Sequence, residues 1–235
     1  MFNTSKVLPI LPLKSNLKTQ IRNISFRKVS AWYRNWFYSK TTPPYSHIVQ
    51  IGDPILRVKA ENVPDSLIHT TELKNLIKQL QYVMKKYNSI GISAPQIGVP
   101  LRIFLMELNH KNLERFPKDV RKTRQIEHIP FTVFINPVLR VLDYKKATFP
   151  EACESFRGYT ADVPRHISVQ CSGLNELGKK VSLNSQGWTA RVIQHEMDHL
   201  DGKMYTDLMD RPSLSCSCWQ AVNAHSGRIS IPFAP

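Results

Sequence analysis

The 235-residue chain is long enough for one domain with a sizeable core plus a detachable segment, and its 42% hydrophobic and 21% charged residues exclude wholesale disorder, collagen and coiled coil. No apolar stretch approaches the roughly 20 residues of a membrane helix, and four scattered cysteines, Cys153, Cys171, Cys216 and Cys218, exclude a disulfide scaffold and fit a reducing compartment. The net charge of +14 would suggest nucleic acid if it were spread over the fold, but eight basic residues stand within residues 1–40, which hold no acid.

Those residues read as a mitochondrial transit peptide, directing the chain to the matrix, because they lack the continuous apolar run of a secretory signal. The other reading is a basic tail that binds RNA or anionic lipid, with Trp32, Tyr33, Trp36 and Phe37 interleaved with Arg34. Without the leader the net charge falls from +14 to +6, so no specific nucleic-acid surface and no membrane span are expected of the rest.

Past a linker at Thr41-Thr42-Pro43-Pro44, a folded domain is expected over 45–210. Asp65 or Ser66 can cap a helix running to about Asn88, in which Leu73, Leu76, Ile77, Leu80, Met84 and Tyr87 recur at the spacing of one buried face. Strand-like runs follow at Leu101 to Leu108, Phe131 to Leu142, Ile167 to Cys171 and Lys180 to Leu183, with a polar excursion from Asn109 to Pro130. A last helix is expected from Gly187 to His199. The order indicates an α+β fold with antiparallel or mixed sheets packed around that helix. Residues 211–235 read as a tail of uncertain structure, in which Cys216 and Cys218 could bind metal or oxidise but a disordered chain is the simpler expectation.

Three strings carry chemistry. His195-Glu196-Met197-Asp198-His199 puts two imidazoles at i and i+4, on one helical face and about one turn apart, so that both can bind one metal ion. Glu196 then projects about 100° around the helix, beside the ion, where a general base has to stand. A third ligand is needed. A histidine six positions after the second fails because that position is Tyr205, and a downstream glutamate fails because none follows Glu196. Cys153, in the polar segment Pro150 to Ser155 that reads as irregular, remains as the choice. The third string, Gly91-Ile92-Ser93-Ala94-Pro95-Gln96-Ile97-Gly98, offers small residues for close backbone approach and an amide donor at Gln96; by itself it reads equally as a tight turn.

Together and in this order the strings resemble the peptide deformylase family, whose motifs read G-x-x-A-x-Q, E-G-C-x-S and H-E-x-x-H. The resemblance covers about residues 47–210, and Glu154 with the basic leader resembles the mitochondrial branch. It implies that Cys153, His195 and His199 hold one divalent ion, Fe(II) by the family's preference with Zn(II) also found. It further implies that Glu196 is the general acid/base and that Gln96 with the backbone N–H of Glu154 holds the oxyanion. The implied substrate is the N-formyl-methionyl end of nascent organellar proteins, with transient ribosome association a further expectation. The family pattern also pairs Glu151 with an arginine after Val-Pro, here Arg165. Gly91, Ile90, Ile92, Trp188 and Val192 are expected around the methionine side chain, the aliphatic and indole groups supplying its apolar walls.

Two departures are expected to matter. Ala152 stands where glycine is usual and should narrow the cleft, and Glu154 stands where bacterial enzymes carry leucine, so its charge should oppose the oxyanion and lower activity. The competing readings are a metalloprotease, which shares only the helix motif, and a weakly active or inactive deformylase-like protein that binds ribosomes or RNA.

Overall fold

The computed structural model describes residues 42–235, so the transit-peptide reading falls outside the described residues. Thr70 begins helix α1 (Thr71–Tyr87), its hydroxyl accepting from Leu73 N at 3.3 Å, and Asn88 ends it in the left-handed conformation at φ 54°. The start lies later than expected because Asp65–Leu67 forms a separate 3-10 turn. A threonine whose side chain accepts from the third residue on satisfies a helix N–H that would otherwise lack a partner, so Thr70 wins over Asp65.

The chain then lays down β1 (Gly91–Ser93), a 3-10 turn (Ala94–Ile97), β2 (Ile103–Leu108), the short helices α2 (His110–Leu113) and α3 (Lys118–Arg124), β3 (Ile129–Cys153), β4 (Phe156–Leu174) and β5 (Lys180–Gln186). These strands form one antiparallel sheet in the order β1-β2-β3-β4-β5. Helix α4 (Gly187–Leu200) packs against this sheet, with strands β1, β2, β3, β4 and β5 all contributing contacts. The α+β expectation therefore holds, with a wholly antiparallel sheet.

The largest difference from the sequence reading is the length of β3 and β4. Asp143, Lys145, Lys146 and Pro150 look like strand breakers, yet pairing with β4 continues from Lys146↔His166 to Ala152↔Thr160 after register shifts around Asp143. Bulges let a long hairpin bend without losing its ladder. The consequence is decisive for the site: Glu151 and Cys153 are buried on one face of β3 because strand side chains alternate, whereas Ala152 points to the exposed face. The expected narrowing of the cleft by the Ala152 methyl is thus not supported, since that methyl faces away from Cys153. The segment carrying Cys153 is also strand rather than irregular chain.

Three clusters form the core. One fills the space beneath α1 around Leu80, Val83, Ile92 and Ile103; a second lies beneath α4 around Phe104, Phe134, Val169 and Ile193; a third gathers Val49, Leu56, Val163, Met204 and Tyr205 beside Cys153. Residues 211–235, expected as a disordered tail, return to the body: β6 (Ser215–Cys216) pairs with β4 at Tyr159 and Thr160, and α5 (Trp219–Ala224) follows. No helix among the described residues is long and apolar enough to cross a membrane.

Leu80 is fully buried at the centre of the first cluster. Leu80→Ala should cost about 2–5 kcal/mol through lost transfer energy and the cavity left behind, measured as a lowered denaturation midpoint with unchanged slope.

Candidate metal centre

The donor atoms of Cys153, His195 and His199 all lie within 4.8 Å of one another, and Cys153 Sγ is 3.3 Å from His199 Nε2. One residue comes from the end of β3 and two come from successive turns of α4. The hairpin and the helix therefore have to pack together before the trio exists. The His195 and His199 rings stand nearly perpendicular, with centroids 5.0 Å apart, which directs two nitrogens at a common region.

His195 is fixed from behind. Its Nδ1 lies 3.0 Å from Glu151 Oε2, so a neutral ring donates there and leaves Nε2 as the lone-pair nitrogen facing the cysteine. Glu151 is itself held by the Arg165 fork, Nε to Oε1 and Nη2 to Oε2, both at 2.9 Å, as the pairing of Glu151 with Arg165 anticipates. Arg191 adds a third anchor, Nη1 to Glu151 Oε1 at 2.7 Å. Burial alone would raise the Glu151 carboxyl, but hydrogen bonds from His195 and Arg165 outweigh it and hold the group well below the usual carboxylate range. For His195 burial likewise works against charge, yet the Cys153 sulfur and Glu151 draw its pKa well above the ordinary value, while burial and the neighbouring His195 push His199 well below.

Glu196 has a contrasting setting. Desolvation pushes its carboxyl up to about 7, with the His195 charge opposing, and its Oε2 is buried without a partner. It packs on Gly91: a Cβ added there would stand 2.4 Å from Glu196 Oε1, so only glycine lets the strand pass so near the carboxylate. Gln96, in the 3-10 turn after β1, is locked by its own oxygen, which accepts from Ser93 N at 2.9 Å and Ser93 Oγ at 3.2 Å. That leaves the Gln96 amide nitrogen, which donates to Ser155 Oγ at 3.2 Å and lies 3.6 Å from Cys153 Sγ. Glu154 sits in the turn after β3; its carbonyl accepts from Gln50 Nε2 at 2.8 Å. Its carboxylate lies 3.2 Å from Arg157 Nε as an ion pair, without the alignment of a hydrogen bond.

The expected apolar walls are only partly brought together. Ile90, Trp188 and Val192 share the cluster beneath α4, whereas Ile92 points into the cluster beneath α1. Within β1, Gly91 faces Glu196 and its neighbour Ile92 faces away, whereas Ile90 precedes the strand and does not follow its alternation. Arg191, Asp198, Ser93, Ser155 and Gln50 were not anticipated. Arg191 had a readable signal, a cation within Ala190-Arg191-Val192-Ile193 and one helical turn before His195 on the same stripe. Asp198 pairs with Arg165 from inside the helix motif.

A sulfur and two imidazoles with converging donors, one ring already oriented through its far nitrogen, and a buried carboxylate oxygen lacking any partner fit a divalent ion of the zinc or iron type. A sequence model of the polypeptide deformylase family matches residues 45–214. The chain belongs to that family. Human mitochondrial peptide deformylase is 45% identical over 181 residues, covering 77% of this chain and 74% of the human protein. The chloroplastic/mitochondrial peptide deformylase 1A of Arabidopsis thaliana is 40% identical over 69% of this chain and 60% of its own length. Among solved structures, a peptide deformylase from Synechococcus elongatus in complex with actinonin is 27% identical, with a TM-score of 0.60 over 84% of this chain and 93% of that one. Peptide deformylases are metalloenzymes that remove the formyl group from an N-terminal methionine, and the similarity to organellar relatives indicates an organellar deformylase here.

Arg165→Ala should leave Glu151 buried beside only one arginine, tilting the His195 ring. Metal content after dialysis, or the melting temperature, should fall clearly below wild type, since losing a buried partner commonly costs about 3–5 kcal/mol. Wild-type values for both would count against the pairing as a support of the centre.

Proposed function

We propose that this chain deformylates N-formyl-methionyl nascent proteins in the mitochondrial matrix with Cys153, His195 and His199 as ligands of one Fe(II) or Zn(II) ion. The observation that carries the reading is the convergence of those three donors beside a buried, partnerless Glu196 oxygen. When bound, the ion acts as a Lewis acid that makes water nucleophilic near neutral pH.

The remaining work belongs to side chains and backbone. Glu196 takes a proton as water adds to the formyl carbon and returns it to the departing α-amine; a carboxyl raised to about 7 is suited to both transfers near neutrality. As the formyl oxygen becomes negative, the Gln96 amide nitrogen and the Glu154 backbone N–H donate to it. Because Ser93 already holds the Gln96 oxygen, the amide cannot present its wrong end. Glu151, Arg165 and Arg191 hold His195 in one tautomer and one orientation. Ile90, Trp188 and Val192 receive the methionine side chain, and Gly91 lets the substrate backbone approach Glu196 closely. Formate and the free methionyl amine are the products.

Residues 1–40 act as the transit peptide in this reading, and transient association with the ribosome supplies the nascent substrate. A non-enzymatic RNA-binding role is not favoured, because the charged groups around the centre are mutually paired rather than degraded.

The direct test is formate release from an N-formyl-methionyl peptide by the metal-loaded protein. Glu196→Gln should retain the ion but lose at least ~100-fold in rate, the usual scale for a positioned acid/base; near-normal release would remove Glu196 from the mechanism. Val192→Phe should raise KM for formyl-methionyl peptides more than for formyl-alanyl ones at unchanged metal content. Equal losses on both substrates would show that Val192 acts through folding.

A further inference from the structure

The third cluster ends in a feature the reaction does not account for. The turn Cys153–Phe156 closes the β3–β4 hairpin, and the returning C-terminal segment is fastened around the residues just after it. Ser217 N and Oγ both donate to Gly158 O, at 2.9 and 3.0 Å. Gly158, at φ +88°, leaves open the space where Ile231 sits; a Cβ there would lie 2.7 Å from Ile231 Cδ1. Farther on, Tyr87 donates its hydroxyl proton to Phe233 O at 3.1 Å, and Ala234 packs against the first core cluster.

Arg157 is where this strap meets the active-site turn. Its Nη1 donates to Pro232 O at 2.6 Å, its guanidinium lies 5.8 Å from the centre of the Tyr87 ring, and its Nε lies 3.2 Å from the Glu154 carboxylate. A planar cation held on two sides by a carbonyl and an aromatic face has little freedom left, so it fixes the direction of the third partner. That partner is the carboxylate of the residue whose backbone N–H is assigned to the oxyanion. An unpaired negative charge there would oppose the charge developing on the formyl oxygen, and the opposition is strong in a partly buried site.

We propose that Arg157 is a positioning residue for deformylation: anchored by the C-terminal strap, it holds the Glu154 carboxylate turned toward itself and offsets its charge, so that the adjacent N–H can serve an oxyanion. This rests on the oxyanion role given to Glu154 above. The strap is thereby part of the catalytic frame rather than a passive tail.

The test uses the full metal-loaded chain and a formyl-methionyl peptide. Arg157→Ala should lower kcat at least ~5-fold with KM and metal content near wild type, the pattern of an interaction that matters chiefly in the transition state. Arg157→Lys, which keeps the charge, should recover part of the loss. Adding Glu154→Gln to Arg157→Ala should restore kcat toward that of Glu154→Gln alone, because the penalty acts through the carboxylate and the two changes are coupled. Deleting residues 230–235 should reproduce part of the Arg157→Ala defect. A kcat for Arg157→Ala within about twofold of wild type, or a double variant as slow as Arg157→Ala, would overturn the proposal. Should Arg157→Ala fold poorly, Arg157→Lys and the deletion decide in its place, and wild-type kcat in both overturns it. Gln96→Ala is measured alongside. If it is as fast as wild type, the oxyanion assignment itself falls, whereas a slow Gln96→Ala with a normal Arg157→Ala removes only the role of Arg157.

Discussion

A single buried carboxylate, Glu151, organises the centre. Its two oxygens accept from Arg165 twice, from Arg191 and from His195, so every donor it needs comes from within the protein. An isolated carboxylate at this depth would carry a desolvation cost of several kcal/mol and would protonate instead. Here two arginines supply more positive charge than one carboxylate can balance, and Asp198 on the far side of Arg165 takes up the difference. Glu151 with Asp198 against Arg165 with Arg191 makes a neutral quartet. That neutrality lets a neutral His195 ring donate a strong hydrogen bond from Nδ1 to Glu151 and keep the lone pair of Nε2 for an ion.

The quartet also connects elements distant in sequence. Glu151 sits on β3, Arg165 on β4, and Arg191 and His195 on α4, while Arg191 further donates to Val163 O and Ala147 O at 2.7 and 2.6 Å. Two glutamates five residues or less from a ligand histidine or cysteine thus receive opposite environments. Glu151 lies among cations and stays ionised; Glu196 lies against a bare strand with one oxygen lacking a partner and is pushed toward neutrality. Pairs of carboxyl groups driven apart in this way are how a site separates a structural charge from a group that carries protons.

Legibility in the sequence followed the reach of each interaction. The helix motif was readable because both histidines and the base lie within five residues, and helical spacing alone fixes their relation. Cys153 was reachable by elimination, yet its strand setting was not, since Asp143, Lys145, Lys146 and Pro150 break the local pattern while the partner strand β4 sustains it. Asp198 is hidden for a related reason: its partner Arg165 lies on β4, and nothing local in the helix motif marks the third of its charged or ionisable residues as paired, whereas Arg191 carries a signal in its apolar neighbours. Of the two isoleucines flanking Gly91, Ile90 packs with Trp188 and Val192 and Ile92 lies in the other cluster, a division that the local pattern does not show. The order of residues 211–235 depends on contacts with Gly158, Arg157 and Tyr87, none of which a polar, proline-bearing segment announces.

Arg191 has a consequence for motion. By donating to carbonyls on both strands of the hairpin from the middle of α4, it stitches the helix to β3 and β4 through bonds that side-chain rotation alone cannot release without exposing a buried cation. Helix and hairpin must then open as one cooperative unit. The amides of residues 191–199 should become solvent-exchangeable only in openings nearly as costly as complete unfolding, while the short helices α2 and α3, neither of which has a fully buried side chain, open at much lower free energy.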